Sequence, residues 1–508
     1  MSRERPNILF VMADQLAASA LGAYGNSVVQ APTIDRLAED GVVFENAYCN
    51  VPLCAPSRAS LLAGRLASRV GVFDNGAELA ASVPTIAHYL RARGYITCLA
   101  GKMHFIGPDQ LHGFEHRLTT DVYPAGINWI PDWTRPTAER LPWYHDMSSV
   151  LDAGPSEATL QLDYDEEVGF RSVRALYDLA RSEDERPFLL LVSYTHPHDP
   201  YEIPQAYWSQ YRAGVDLPKV EAIPFADADP HSRCIREMCG TDEANLTEEA
   251  IGRARRGYYA AVSYVDDKVG ELMRALVATG LRENTIVVFA SDHGDMLGER
   301  GLWYKMTFFE DSARVPLLIS APRRFAPRRI ADLVSLADLL PTMVELAAPD
   351  ESFEPVDALE GSSLVSLLSG DAGEHDRTIA AEYLAEGTHA PCVMLRRGPF
   401  KYITCPDDPD QLFDLSNDPR ELVNLATGGT HPELGAFRAE VTERWDLEAL
   451  RDEVLASQRR RMLVRGALEL GMSETWDYVP TEDSATRYVR GQEFWAPFDR
   501  ARLRRPSG

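Results

Sequence analysis

The chain has 508 residues, 45% hydrophobic and 25% charged, and a formal net charge of −26 at neutral pH. Its length predicts two to four domains, or one large α/β domain with an appendage, and its composition excludes disorder, collagen and repeat fibres. So negative a surface excludes a general role on nucleic acid or anionic lipid, and leaves a small anionic substrate only in a locally basic pocket.

In chain order, the first apolar run, Ile8 to Ala13, is too short for a signal-peptide core. No other run approaches a membrane span, so a cytoplasmic protein without membrane contact is expected. Seven cysteines without a CxxC pair fit a reduced compartment. The strand predicted over 7–13 ends at Asp14-Gln15, and a helix follows over 31–40. Next comes Cys54-Ala-Pro-Ser-Arg58. Pro56 suits a helix first turn, the Ala/Leu run propagates it, and Gly64 can end it. Cys54 then lies at a helix N-terminus, where free N–H groups favour negative charge, and Arg58, four residues on, faces the same side.

A helix over 85–93 precedes the strand over 95–101, which ends at Lys102 and His104. Two residues apart in an extended chain, they leave one face. The Pro- and Trp-rich stretch 107–155 reads as a lid or substrate loop. A helix over 165–181 leads to the strand over 188–195, ending at His196-Pro-His198-Asp199. A helix over 251–279 leads to the strand over 285–291, ending at Asp292-His293-Gly-Asp295. Long apolar runs read as strands buried on both faces, hence an α/β, mostly parallel sheet flanked by helices. Ligands bind beyond the carboxyl ends of such strands, so four chemically armed ends point to one site. From about residue 380 the texture changes. Short strands over 382–414 and a helix over 432–470 predict a smaller antiparallel α+β unit with an irregular tail.

Each residue also has a plainer reading. Cys54 can be a small buried side chain before a proline, Asp14 and Asp292 helix caps, His104 a satisfied core histidine, Lys305 a solvated lysine, and Asn75 a turn residue. Longer strings change the balance. Cys54-Ala-Pro-Ser-Arg-Ala-Ser-Leu-Leu-Ala-Gly-Arg65, Gly101-Lys-Met-His-Phe, Thr195-His-Pro-His-Asp-Pro-Tyr and Ser291-Asp-His-Gly-Asp-Met resemble the type I sulfatases of the alkaline-phosphatase superfamily. The resemblance is closest to the choline-sulfatase branch and covers nearly the whole chain.

That resemblance implies an alkaline-phosphatase-like catalytic domain over 1–380, with 107–155 as lid, and a C-terminal subdomain and tail over 381–508. It implies that Cys54 becomes formylglycine, through a formylglycine-generating enzyme, and that the hydrated aldehyde supplies the nucleophilic oxygen. Asp14, Gln15, Cys54, Asp292 and His293 would hold one divalent metal. Calcium comes first, with magnesium or manganese as alternatives and the nitrogen donor leaning to manganese. Arg58, Lys102, His104, His198 and Lys305 would surround the sulfate, His198 or Lys305 protonating the leaving oxygen, with His196 in support. Asn75 would lie near the sulfate, and Trp129, His145 and Glu386 would bind the alcohol.

The expected reaction is hydrolysis of choline-O-sulfate or a similar small alkyl sulfate by a homo-oligomer (dimer or tetramer). A quaternary ammonium needs aromatic faces and carboxylates, and the lid carries Trp129, Trp133, Trp143 and Tyr144. Tyr488-Val-Arg490 matches the branch, but the Gly-Gln-Glu-Phe-Trp-Ala that follows departs from it and leaves the alcohol open; Phe494, Trp495 or Asp499 could still furnish a wall. A phosphonate monoester or phosphodiester hydrolase is the second expectation, and a non-catalytic osmolyte-binding protein the third.

Overall fold

The four armed strands form where the apolar runs lie. The computed structural model describes residues 5–370, 377–472, 475–481 and 502–503. Its large sheet contains β1 (Asn7–Ala13), β2 (Val42–Tyr48), β3 (Ile96–Gly101) and β4 (His116–Arg117). A separate two-stranded pair joins β5 (Gly154–Pro155) to β7 (Glu202–Ile203), while β6 (Phe188–Tyr194) returns to the large sheet. So do β8 (Thr285–Ser291), β9 (Arg314–Val315), β10 (Leu317–Ser320) and β11 (Arg328–Ser335). The order is β11-β2-β10-β8-β1-β6-β3-β4, with β9 on β2. Only β9 and β10 run antiparallel to their neighbours. The fold is therefore α/β with a mostly parallel sheet.

Register explains the site. Ala13 pairs with both Tyr194 and Ser291, and Gly101 with Ser193, so four adjacent parallel strands end on one edge. The next residues, Asp14, Lys102, Thr195 and Asp292, are delivered together. Residues 8–13 of β1 are fully buried, and burying one Leu, Val or Phe stabilises by about 1.5–3 kcal/mol. Gly101 has φ 99°, and a Cβ there would lie 2.0 Å from the Ser193 carbonyl oxygen, so only glycine lets β3 approach β6 here.

Helices Pro32–Glu39, Ile86–Ala92, Leu160–Arg181 and Glu248–Thr279 match the predicted ones, the third starting five residues earlier than its apolar pattern suggested. The lid has only β4, β5 and the turn of helix Ser148–Leu151 as regular structure.

The C-terminal unit is an antiparallel sheet of β12 (Thr378–Tyr383), β13 (Cys392–Arg397), β14 (Phe400–Thr404) and β15 (Gln411–Asp414). The helix expected over 432–470 is two, Leu434–Arg444 and Leu447–Leu468. Trp445 turns extended, and the Asp446 side chain caps the second helix through the Ala449 N–H. This unit's core includes Leu66, Phe73 and Trp133 from the first part of the chain, so the small sheet packs against the lid. No helix among the described residues is long and apolar enough to cross a membrane. Tyr488, Arg490, Phe494, Trp495 and Asp499 lie outside the described residues.

Candidate active site

Cys54 opens the helix Cys54–Ala63, which is buried along its whole length and ends at Gly64 with φ 65°. Leu53, the residue before it, offers no side-chain cap. Asn75 supplies one from another segment, its Oδ1 accepting the Ala55 N–H at 3.0 Å. The Cys54 Sγ lies 3.2 Å from His293 Nε2 and 3.9 Å from Asp14 Oδ1. His293 Nδ1 donates to the Gly294 carbonyl at 3.0 Å, which leaves Nε2 with its lone pair facing Cys54 and Asp14.

Ligand atoms of Asp14, Cys54, Asp292 and His293 all lie within 4.8 Å of one another, and all four residues are buried. Two carboxylates, one imidazole held through its second nitrogen and one sulfur suit a divalent cation. Gln15 lies beside this group. Its Oε1 accepts from Lys305, its Nε2 donates to Asp295 at 2.7 Å, and its backbone N–H donates to Asp292 Oδ1 at 3.0 Å.

Cations interlock with the carboxylates. Arg58 Nε donates to Asp292 Oδ2 at 2.8 Å and Nη1 to Ser193 Oγ at 2.8 Å, while Lys102 Nζ contacts Asp14 Oδ2. Burial alone would raise the Asp14 pKa, but Lys102, Arg58 and His293 hold it well below the usual carboxylate range. Burial alone would lower the two lysines. Asp14 and Cys54 raise Lys102, and Cys54, Asp199 and Asp14 raise Lys305, so both stay ammonium. Burial and the Asp14 charge push the Cys54 thiol up to about 11.

The histidines, by contrast, are neutral. Burial and then Lys102 bring His104 down to about 3; burial and then Lys305 bring His145 to about 4 and His198 well below the histidine range. His198 Nδ1 donates to the Asp199 carbonyl at 2.6 Å, so its Nε2 accepts from Lys305 Nζ at 2.9 Å. His145 Nε2 lies 3.3 Å from the same ammonium.

An aromatic wall adjoins. The Tyr123 ring lies 4.4 Å under Lys102 Nζ, 4.8 Å from His104 and 4.9 Å from Trp129. Trp129 stacks near Trp143 at 6.4 Å, which meets Tyr144 edge-on at 4.5 Å. Glu386 is 1% exposed; burial above all, with Asp74 adding, lifts it to about 7. Several buried polar atoms lack a hydrogen-bond partner among the described residues: both ring nitrogens of His104, Arg58 Nη2 (3.8 Å from Asp14), Trp143 Nε1 and Glu386 Oε2. Each costs about 1–3 kcal/mol if nothing fills it. A separate cavity of about 450 Å³, beyond Asp295, is lined by Arg255, Glu310 and Arg396. Those three are already hydrogen-bonded or ion-paired within the protein, and it is not where the chemistry converges.

The sulfatase family model matches residues 6–349. The chain belongs to the sulfatase family. A model described as "N-sulphoglucosamine sulphohydrolase, C-terminal" matches residues 298–445, and "Choline sulfatase enzyme C terminal" matches 452–501. The tail expected to depart from that branch thus falls largely within this match.

This sulfatase is 46% identical to the choline-sulfatase of Rhizobium meliloti (strain 1021) over 500 residues, 96% of each chain. It is 29% identical to an arylsulfatase of Clostridium perfringens (strain 13 / Type A), over 84% of this chain and 92% of that one. The solved phosphonate monoester hydrolase of Agrobacterium radiobacter shares its fold with a TM-score of 0.67, at 26% identity, over 89% of this chain and 96% of that one. The sulfatase is a sulfuric ester hydrolase.

The structure brings Asp14, Gln15, Cys54, Arg58, Asn75, Lys102, His198, His293, Asp292 and Lys305 of this sulfatase into one connected group. His104 and Trp129 adjoin it through Tyr123. His145 meets Lys305 rather than the tryptophans. His196 instead bonds Asp165 at 2.7 Å, and Trp133 packs into the second core with its Nε1 on the Ala385 carbonyl. The chain is not extended at His104, where φ is 58°; Gln15, at φ 61°, is likewise left-handed. Such backbone costs of order 1–3 kcal/mol and persists because the packed surroundings fix it. Sequence reasoning gave no role to Tyr123, Asp199 or Asp295. Asp199 and Asp295 stood inside the quoted strings, but nothing in the sequence marked Tyr123.

Proposed function

We propose that this protein hydrolyses choline-O-sulfate to choline and sulfate, with Cys54, as formylglycine, carrying the nucleophile. The observation that carries this reading is the pairing of two ends in one site. Buried cations and the His104 nitrogens and Arg58 Nη2, which have no hydrogen-bond partner, suit the sulfate, and rings with the unpartnered Glu386 oxygen suit a quaternary ammonium. The 46% identity to a choline-sulfatase supports it, against 26% to a phosphonate monoester hydrolase.

A thiol held at about 11 is protonated at neutral pH and a poor nucleophile, which supports a modified Cys54. Once formed, the formylglycine hydrate would offer one hydroxyl to attack sulfur and a second to expel sulfate. Asp14, Gln15, Asp292 and His293 would hold a divalent cation that lowers the charge on the sulfate oxygens.

The chain's own residues do the rest. Arg58 holds Asp292, and Asn75 keeps the Ala55 N–H paired at the Cys54 helix. Lys102 and His104 would face the ester oxygens. Lys305 holds the proton for the leaving oxygen: it is the ammonium, and its neighbours His198 and His145 are neutral. Trp129, with Glu386 from the unit after residue 380, would meet the choline head.

The test compares kcat/KM for choline-O-sulfate, a neutral alkyl sulfate and a phosphonate monoester, on protein co-expressed with a formylglycine-generating enzyme. A large preference for choline-O-sulfate is expected. Comparable or better phosphonate hydrolysis would overturn the substrate while keeping the nucleophile.

A further inference from the structure

The turn Asp74-Asn75-Gly76 touches three parts of the molecule at once. Asp74 is fully buried, and its two oxygens take both terminal nitrogens of Arg461, each at 2.6 Å. Arg461 stands on the C-terminal helix Leu447–Leu468. Asp74 Oδ1 also accepts the Gly76 N–H at 3.0 Å, which closes the turn. Asn75 then reaches the Ala55 N–H at the head of the Cys54 helix. Gly76 lies flat against Trp129: a Cβ there would sit 2.6 Å from the Trp129 carbonyl oxygen.

The same face of this helix, at Gln458 and Arg465, also holds the lid. Gln458 Oε1 accepts the Trp133 N–H at 3.1 Å, and Arg465 donates to the Asn128 carbonyl at 3.2 Å. A few residues on, Asp477 accepts the Ala125 N–H at 2.8 Å. A buried carboxylate needs a paired cation, and a two-pronged guanidinium fixes its orientation as well as its charge.

We propose that Arg461 is a positioning residue for the reaction, its fork on Asp74 setting the 74–76 turn and, through it, both the head of the Cys54 helix and the seat of Trp129. It touches neither nucleophile nor ester. The inference rests on the reading that Cys54 carries the nucleophile and Trp129 the cation wall. It adds that the C-terminal helix, remote in sequence, couples the two ends of the site.

The test uses the full chain with Arg461→Gln, Arg461→Lys, Asp74→Asn and the double variant Asp74→Asn/Arg461→Gln. Each is assayed on choline-O-sulfate and a neutral alkyl sulfate, alongside its melting temperature. Misplacing reacting groups by about 1 Å costs roughly 100-fold. Arg461→Gln is therefore expected to lower kcat/KM about 100-fold on choline-O-sulfate and about 10-fold on the neutral ester. kcat falls for both esters, while KM rises only for the choline ester. Arg461→Lys, with no fork, recovers only part of the loss.

Because the two residues act as one unit, the double variant should be no worse than either single. Kinetics within about 2-fold of wild type in folded Arg461→Gln, or singles whose losses add in the double, overturn the proposal. If Arg461→Gln does not fold, Asp74→Asn decides: the same split of kcat and KM supports the proposal, and wild-type kinetics overturn it. A wild type that prefers the phosphonate refutes the substrate alone. The variants are then read on that ester, where kcat still falls if Arg461 sets the Cys54 helix.

Discussion

Around Cys54, guanidinium, ammonium and carboxylate groups interlock at hydrogen-bond distance, with Arg58 on Asp292 and Lys102 on Asp14. Around Trp129, His104 and Tyr123 meet it edge-on and Trp143 stacks on it, and Glu386, whose charge acts on Tyr144 of the same wall, keeps an oxygen without a hydrogen-bond partner. Buried charge must be paired in one geometry, whereas dispersion and cation–π contacts tolerate many shapes. On the proposed reading, the difference assigns reaction type to the paired charges and alcohol choice to the aromatic wall.

The comparison breaks most severely at its charged end. Cys54→Ala should lower kcat on every ester by roughly 10⁴-fold or more with the fold intact; ordinary turnover in that variant removes Cys54 as nucleophile. Chelation, followed by return of a divalent ion, should abolish and restore activity on all esters alike. Full activity in demetallated protein would mean that Asp14, Asp292 and His293 hold no required cation. Lys305→Met should cost about 10²–10⁴-fold in kcat, least on an ester whose alcohol is already a good leaving group. An equal loss on all leaving groups would make Lys305 a binding cation only.

Changes at the aromatic end should be smaller and selective. Trp129→Ala should raise KM for choline-O-sulfate by the loss of about 0.5–2 kcal/mol, leaving a neutral alkyl sulfate nearly unchanged. Equal effects on the two would reduce Trp129 to packing.

The smallest effect is a pH dependence. Glu386 is lifted from its ordinary 4.5 to about 7, so kcat/KM for the choline ester should fall as pH drops below 7 while the neutral ester stays flat. Its stability sign is the reverse. With the folded value above the unfolded one, Glu386 contributes stability below about 4.5 that is lost as pH rises through about 7. Glu386→Gln should therefore raise Tm more at pH 8 than at pH 5, and a uniform change would show that Glu386 is not buried as a carboxyl.

Much of the charged end was legible because Asp14, Lys102 and Asp292 follow strands and Cys54 opens a helix. Apolar runs announce buried parallel strands, and chain direction then puts Asp14, Lys102, His198 and Asp292 at one edge. From the residues alone the aromatic end was legible only as a supply of tryptophans, and the family resemblance alone singled out Trp129. That Trp133 packs while Trp129 faces His104 depends on how an irregular lid crosses the sheet, which no short-range periodicity encodes.

The sequence by itself therefore determined the layered α/β fold, the strand ends that carry chemistry and the helix that opens at Cys54, since these follow from local periodicity and chain direction. Only the tertiary structure decided that Asn75 caps that helix, that Tyr123 lies under Lys102, and that Arg461 pairs with Asp74 across 387 positions. Such contacts arise from burial, where an uncompensated charge or N–H must find whatever partner packing brings near, and packing is a property of the whole chain.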